Sequence, residues 1–86
     1  MQVEGAVVKE QGVTFAIVVV KSHVLNTSGQ CEDARSSFRS IFPGVPIILM
    51  AQNNQGTPTY QGRRDIVQFL SRIHVSQIPW KRYTIN

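Results

Sequence analysis

The sequence predicts a small α+β domain in which the elements run ββαββα with a last short strand, forming one mixed sheet with two amphipathic helices. Three stretches carry that prediction. Val13 to Val20 alternates as a strand, but both of its faces are apolar: Phe15, Ile17 and Val19 on one, Ala16, Val18 and Val20 on the other. Ile47-Ile48-Leu49-Met50 is an apolar run too brief for a helix and has the composition of a buried strand. Ile66, Phe69, Leu70 and Ile73 fall at i, i+3, i+4 and i+7, which lays a single apolar stripe along a helix.

Taken in order, Gln2 to Lys9 alternates weakly and carries Glu4, Lys9 and Glu10, the pattern of an edge strand. Glu10-Gln11-Gly12 supplies a turn, with glycine where a positive φ is required. The two-faced strand Val13–Val20 is expected at the centre of the sheet. Either one helix covers each face, or both helices share one face and a second copy of the chain buries the other.

Lys21 to Asn26 is a connection, and Thr27-Ser28-Gly29 opens a helix with Ser28 or Gly29 as its cap. Glu32 and Asp33 then fall in the first turn, where carboxylates suit the positive end of the helix dipole. Cys31, Ala34, Phe38 and Ile41 form the apolar face, Arg35 and Arg39 point elsewhere, and Pro43-Gly44 ends the helix.

The strand Val45 to Ala51 returns beside Val13–Val20, in parallel, through a right-handed crossover. Asn53-Asn54-Gln55-Gly56 reverses the chain into a shorter strand, Thr57 to Tyr60, which Pro58 confines to an edge. Gly62 breaks that strand and the second helix follows. His74 to Pro79 is a loop, and Arg82 to Ile85 has β-favouring residues enough for a final strand.

Gly44-Val45-Pro46-Ile47-Ile48-Leu49, a reversal, Gly62 and a helix ending Phe69-Leu70 is similar to the C-terminal half of thioredoxin-like domains, where a proline precedes a strand hairpin and a helix. The resemblance spans some thirty residues. It implies a truncated thioredoxin-like topology as the alternative fold. The Cys-x-x-Cys of the redox members has no counterpart.

Composition narrows the function classes. The 86 residues make a single domain, 1–86, and 42% hydrophobic with 16% charged residues is a globular balance. The longest apolar run, Phe15 to Val20, is far short of the roughly 20 residues a membrane helix needs. A single cysteine excludes an internal disulfide and an all-cysteine metal site. With no basic and apolar leader at Met1 to Gly5, the expected compartment is the cytoplasm. Nine Lys and Arg against five Asp and Glu lean mildly toward anionic partners, and solubility asks for the same balance.

Three groups of residues are candidates for chemistry. Cys31, if it sat at the start of the first helix, would have a thiolate favoured by the backbone N–H groups, with His23 as its base. Its place on the apolar stripe argues instead for a core residue. Gly62-Arg63-Arg64 opens the second helix, where two arginines suit a phosphate or carboxylate. Trp80-Lys81-Arg82-Tyr83 interleaves aromatics and cations, as single-stranded nucleic acid binders do, though the only Trp of a small domain commonly closes its core. The carboxylates Glu4, Glu10, Glu32, Asp33 and Asp65 show no metal-ligand spacing, and no cofactor motif is present.

The expected function is therefore that of a small cytoplasmic, non-catalytic binding or protein-interaction domain, and a homodimer where a second copy of the chain buries one sheet face. The alternatives are a nucleic-acid or phosphate binder acting through Arg63, Arg64 and Trp80 to Tyr83, and a thiol or redox protein centred on Cys31.

Overall fold

The computed structural model describes residues 2–10 and 12–85. Its elements run β1 (Gln2–Glu10), β2 (Val13–Val19), α1 (Ser28–Phe38), β3 (Ile47–Gln52), β4 (Pro58–Gln61), α2 (Arg64–Leu70) and β5 (Lys81–Thr84), with short 3-10 turns at Ser22–Asn26 and Val75–Gln77. They form one mixed sheet in the order β4-β3-β2-β1-β5. Only β2 and β3 are parallel, joined by α1 as the crossover. The other three pairings are antiparallel. The expected α+β order is present, the last strand included.

The two-faced strand explains the layering. Ala16 and Val18 of β2 are buried with Cys31 and Phe38 of α1 and with Leu49. Phe15 and Ile17, on the other face, are buried with Ile48, Met50, and Ile66 and Leu70 of α2. One helix thus covers each face, and both apolar faces of β2 are buried within a single chain. The second face asks for no partner subunit.

Several local readings need correction. β1 is not an edge strand along its whole length, because β5 pairs with it from Gln2 to Gly5. Gly12 has the positive φ expected of the β1–β2 turn (80°), while Gln11 of the same turn lies outside the described residues. Thr27, not Ser28 or Gly29, caps α1, its Oγ1 accepting from the Gln30 N–H at 3.1 Å. That shift of one residue moves Glu32 and Asp33 out of the first turn.

Replacing Thr27 by Ala removes the cap and is expected to cost about 1 kcal/mol by urea denaturation, whereas Ser28→Ala should change little.

α1 also stops earlier than Pro43-Gly44, at Phe38. Turns follow, with the Ile41 and Phe42 N–H groups both donating to the Phe38 carbonyl, and the Phe42 ring then meets Tyr83 edge-on with centroids 4.8 Å apart.

The hairpin and helix from Val45 onward are present as β3, β4 and α2. They are joined to a β1–β2 hairpin and closed by β5 on the far edge, so the chain forms a five-stranded unit rather than a truncated thioredoxin-like one. No helix among the described residues is long and apolar enough to cross a membrane.

Candidate functional site

The site lies where the C-terminal half of α1 meets the start of β3 and the end of β4. Because the crossover runs α1 antiparallel to its strands, the last turn of the helix falls beside the first residues of β3. Arg35, in that turn, reaches across both strands. Its Nε donates to the Ile47 carbonyl at 3.0 Å, and Nη2 donates to the Gln61 carbonyl at 2.9 Å and also to the Gln61 side-chain oxygen. Nη1 donates to Glu32 Oε1 at 3.0 Å. A guanidinium has five N–H donors in a fixed fork, so one Nη1 hydrogen is left over. The Arg35 side chain is only 12% exposed.

Gly62 is what lets the chain come so close. A Cβ at this position would lie 2.6 Å from Ile48 Cδ1, 3.3 Å from the Ile47 carbonyl oxygen and 3.4 Å from Arg35 Nη2. The backbone therefore passes over the guanidinium with no side chain between them.

Around this floor is an open cleft of about 390 Å³, lined by Glu32, Arg35, Arg39, Arg63, Gln61 and Pro46, among others. Three guanidinium groups stand against one carboxylate in its wall. The two rim arginines are more than half exposed, 57% for Arg39 and 52% for Arg63. Arg39 lies 3.6 Å from Glu32 Oε2, at the long end for an ion pair. Arg63 makes a two-pronged contact with Asp65, at 2.8 and 2.9 Å.

Those hydrogen bonds from Arg63 hold the Asp65 carboxyl below the usual aspartate range. Since the folded pKa is depressed, the pair's contribution is present above the ordinary aspartate pKa and fades as the pH falls through the folded one. The group is fully exposed, so the contribution is small.

The structure separates residues that the sequence invited joining. Arg63 and Arg64 follow β4, and Lys81 to Tyr83 lie in β5, at opposite edges of the sheet. Four strand spacings, about 19 Å, lie between them. Arg64 is exposed and lies outside the cleft wall.

The aromatic rings of the second string are also occupied, and on opposite faces, because side chains alternate along a strand. Trp80 packs against the α2-side core and donates Nε1 to the Val75 carbonyl at 3.0 Å. Tyr83 packs on the α1 side against Phe42. Lys81 and Arg82 remain exposed.

Cys31 is 2% exposed, and its thiol donates to the Val24 carbonyl at 3.4 Å. It sits in the core with Phe38 and Leu49 rather than at a reactive surface. A thiol probe should leave Cys31 unlabelled in the native protein and label it fully in denaturant; rapid native labelling would contradict this placement.

His23 is exposed on the 3-10 turn after β2. His74 has a structural task, accepting from the Ser76 N–H while Gln77 accepts from the His74 N–H. Among the described residues, no three His, Cys, Asp or Glu side chains gather as metal ligands would.

Arg35 and Gln61 were not singled out by sequence reasoning. The only local sign was Arg35 and Arg39 standing one turn apart on the face of α1 away from Cys31 and Phe38. No protein-family model, curated protein or solved structure matches the chain.

Proposed function

We propose that the domain is a non-catalytic binding module whose site is the cleft of Arg35, Arg39 and Arg63, and whose ligand presents a carboxylate or phosphate there. The observation that supports this most is the division of labour among the three arginines. Arg35 is fixed by four donated hydrogen bonds and sets a positive floor with one donor free, while Arg39 and Arg63 stand half-exposed at the rim. Planar guanidinium forks engage carboxylate and phosphate oxygens in pairs, which makes such a rim selective for oxyanions over halide. The buried free thiol is in keeping with a reducing compartment, and the reading takes the cytoplasm as the place of action.

A titration with inorganic phosphate at low ionic strength, followed by the melting temperature, tests the reading. The wild-type midpoint should rise with phosphate more than with chloride of equal ionic strength. The double variant Arg39→Ala/Arg63→Ala should lose that difference. An equal rise in the two proteins would refute the cleft as the site.

A further inference from the structure

Beside the cleft runs the outer edge of β4, the terminal strand of the sheet. Pro58 stands opposite Gln52, and proline has no N–H to give, so that pair belongs to the non-bonded positions of the antiparallel ladder. The Asn53 N–H donates to the Thr57 carbonyl at 3.0 Å, which agrees with this phase. Alternation then turns Thr59 and Gln61 toward β3. The N–H and C=O of Tyr60 face outward, where no strand among the described residues lies.

The two faces of that edge differ. On the α1 face, Gln61 lines the arginine cleft. On the α2 face, Pro58 and Tyr60 line a second groove of about 480 Å³, walled by Leu70, Ile73 and Val75. The groove wall holds no Asp, Glu, Lys or Arg. Tyr60 Oη is buried without a hydrogen-bond partner among the described residues, and burial raises its pKa above the ordinary phenol value. An unpaired buried hydroxyl is uncommon and marks a place where a further group can be gained.

We propose that the partner is an acidic, extended polypeptide segment that adds as a strand to the β4 edge, with alternate side chains entering the cleft and the groove. This inference rests on the cleft being an anion site. Main-chain bonds to Tyr60 supply the alignment, and the period of two divides the incoming side chains between the faces. The residue opposite Tyr60 is apolar and meets Leu70 and Ile73. Its neighbour opposite Gln61 is Asp or Glu and meets Arg39 and Arg63.

Charge favours this occupant over a second copy of the chain. The segment from Ala51 to Gly62, which includes β4 and its hairpin loop, carries no carboxylate. Pairing of one β4 with another therefore brings no acid to either cleft.

The test uses the labelled 86-residue chain and three probes: inorganic phosphate, the hexapeptide acetyl-(Val-Glu)3-amide, and the same hexapeptide N-methylated at the residues that face β4. The hexapeptide should shift the Tyr60 amide signal, slow its exchange with solvent at least tenfold, and bind at least tenfold more tightly than phosphate. N-methylation should weaken it about tenfold or more, since it removes main-chain donors to β4.

If phosphate perturbs the arginines while the hexapeptide leaves Tyr60 unchanged, or if the N-methylated peptide binds equally well, strand addition is refuted and the cleft stands. If neither phosphate nor peptide perturbs the arginines, both readings fall. Concentration-dependent shifts at Tyr60 without any probe would assign the edge to a second copy and overturn the proposal.

Discussion

Gly62→Ala is expected to destabilise the domain by about 2–6 kcal/mol, a large share of the roughly 4–13 kcal/mol typical of a domain this size. Two causes add. The new Cβ would stand 2.6 Å from Cδ1 of Ile48, a side chain that is 0% exposed and cannot simply swing away. Overpacking of this kind costs about 1–3 kcal/mol. The backbone at Gly62 also has φ +155°, a conformation L side chains rarely adopt, which costs about 1–3 kcal/mol more.

Urea denaturation reads the loss directly, and the phosphate response should weaken with it because Arg35 is displaced. A change below about 0.5 kcal/mol would show that the close approach of Gly62 to Ile48 is not as described.

Arg35→Ala is expected to cost about 3 kcal/mol, and Arg35→Lys about 2. The alanine removes the donors held by the Ile47 and Gln61 carbonyls, at a point where α1, β3 and β4 meet. Lysine keeps the charge, but a point ammonium cannot reach those carbonyls and Glu32 together as the fork does.

The comparison that makes the prediction sharp is Arg39→Ala. It is the same residue type one turn further along, 57% exposed and held by Ser36 and a long contact to Glu32, and its loss should fall within about 0.5 kcal/mol of neutral. Equal costs at positions 35 and 39, measured by denaturation, would contradict the assignment of Arg35 as the structural floor.

The contrast between these two arginines also shows where sequence reading stops. Both lie off the apolar stripe of α1, where a polar residue reads as solvated. What distinguishes Arg35 is a pair of backbone carbonyls 12 and 26 residues away, and a carbonyl has no residue type to recognise.

Hydrophobic period carried more. The double-sided alternation of Val13 to Val20 announced a covered central strand, and the stripe from Ile66 to Ile73 announced its cover on one side, although α2 itself ends at Leu70 and Ile73 lies beyond it. Which face each helix takes followed only from the two cores, one holding Cys31 and Phe38 and the other Ile66 and Leu70.

Adjacency between distant segments was the harder problem. Gly62 to Arg64 and Trp80 to Tyr83 are each basic, and joining them was natural in a chain with a net charge of +4. Strand order decides the matter, and β5 takes the edge opposite β4 because it pairs with the first half of β1. The end of α1 differs by a few residues: Pro43-Gly44 looks like a stop, but the helix proper ends at Phe38, and turns bonded to the Phe38 carbonyl lead on to Phe42.

The measurement that bears most directly on the cleft is the guanidinium Nε–Hε spectrum of labelled protein during a phosphate titration, at low and then moderate salt. Arg39 and Arg63 signals should move together and saturate, with Arg35 shifting less because its Nε is already committed to Ile47, and the affinity should fall as salt rises. Arginine signals that stay still at low salt, or that drift without saturating and to the same degree as Arg64, would contradict a built anion site.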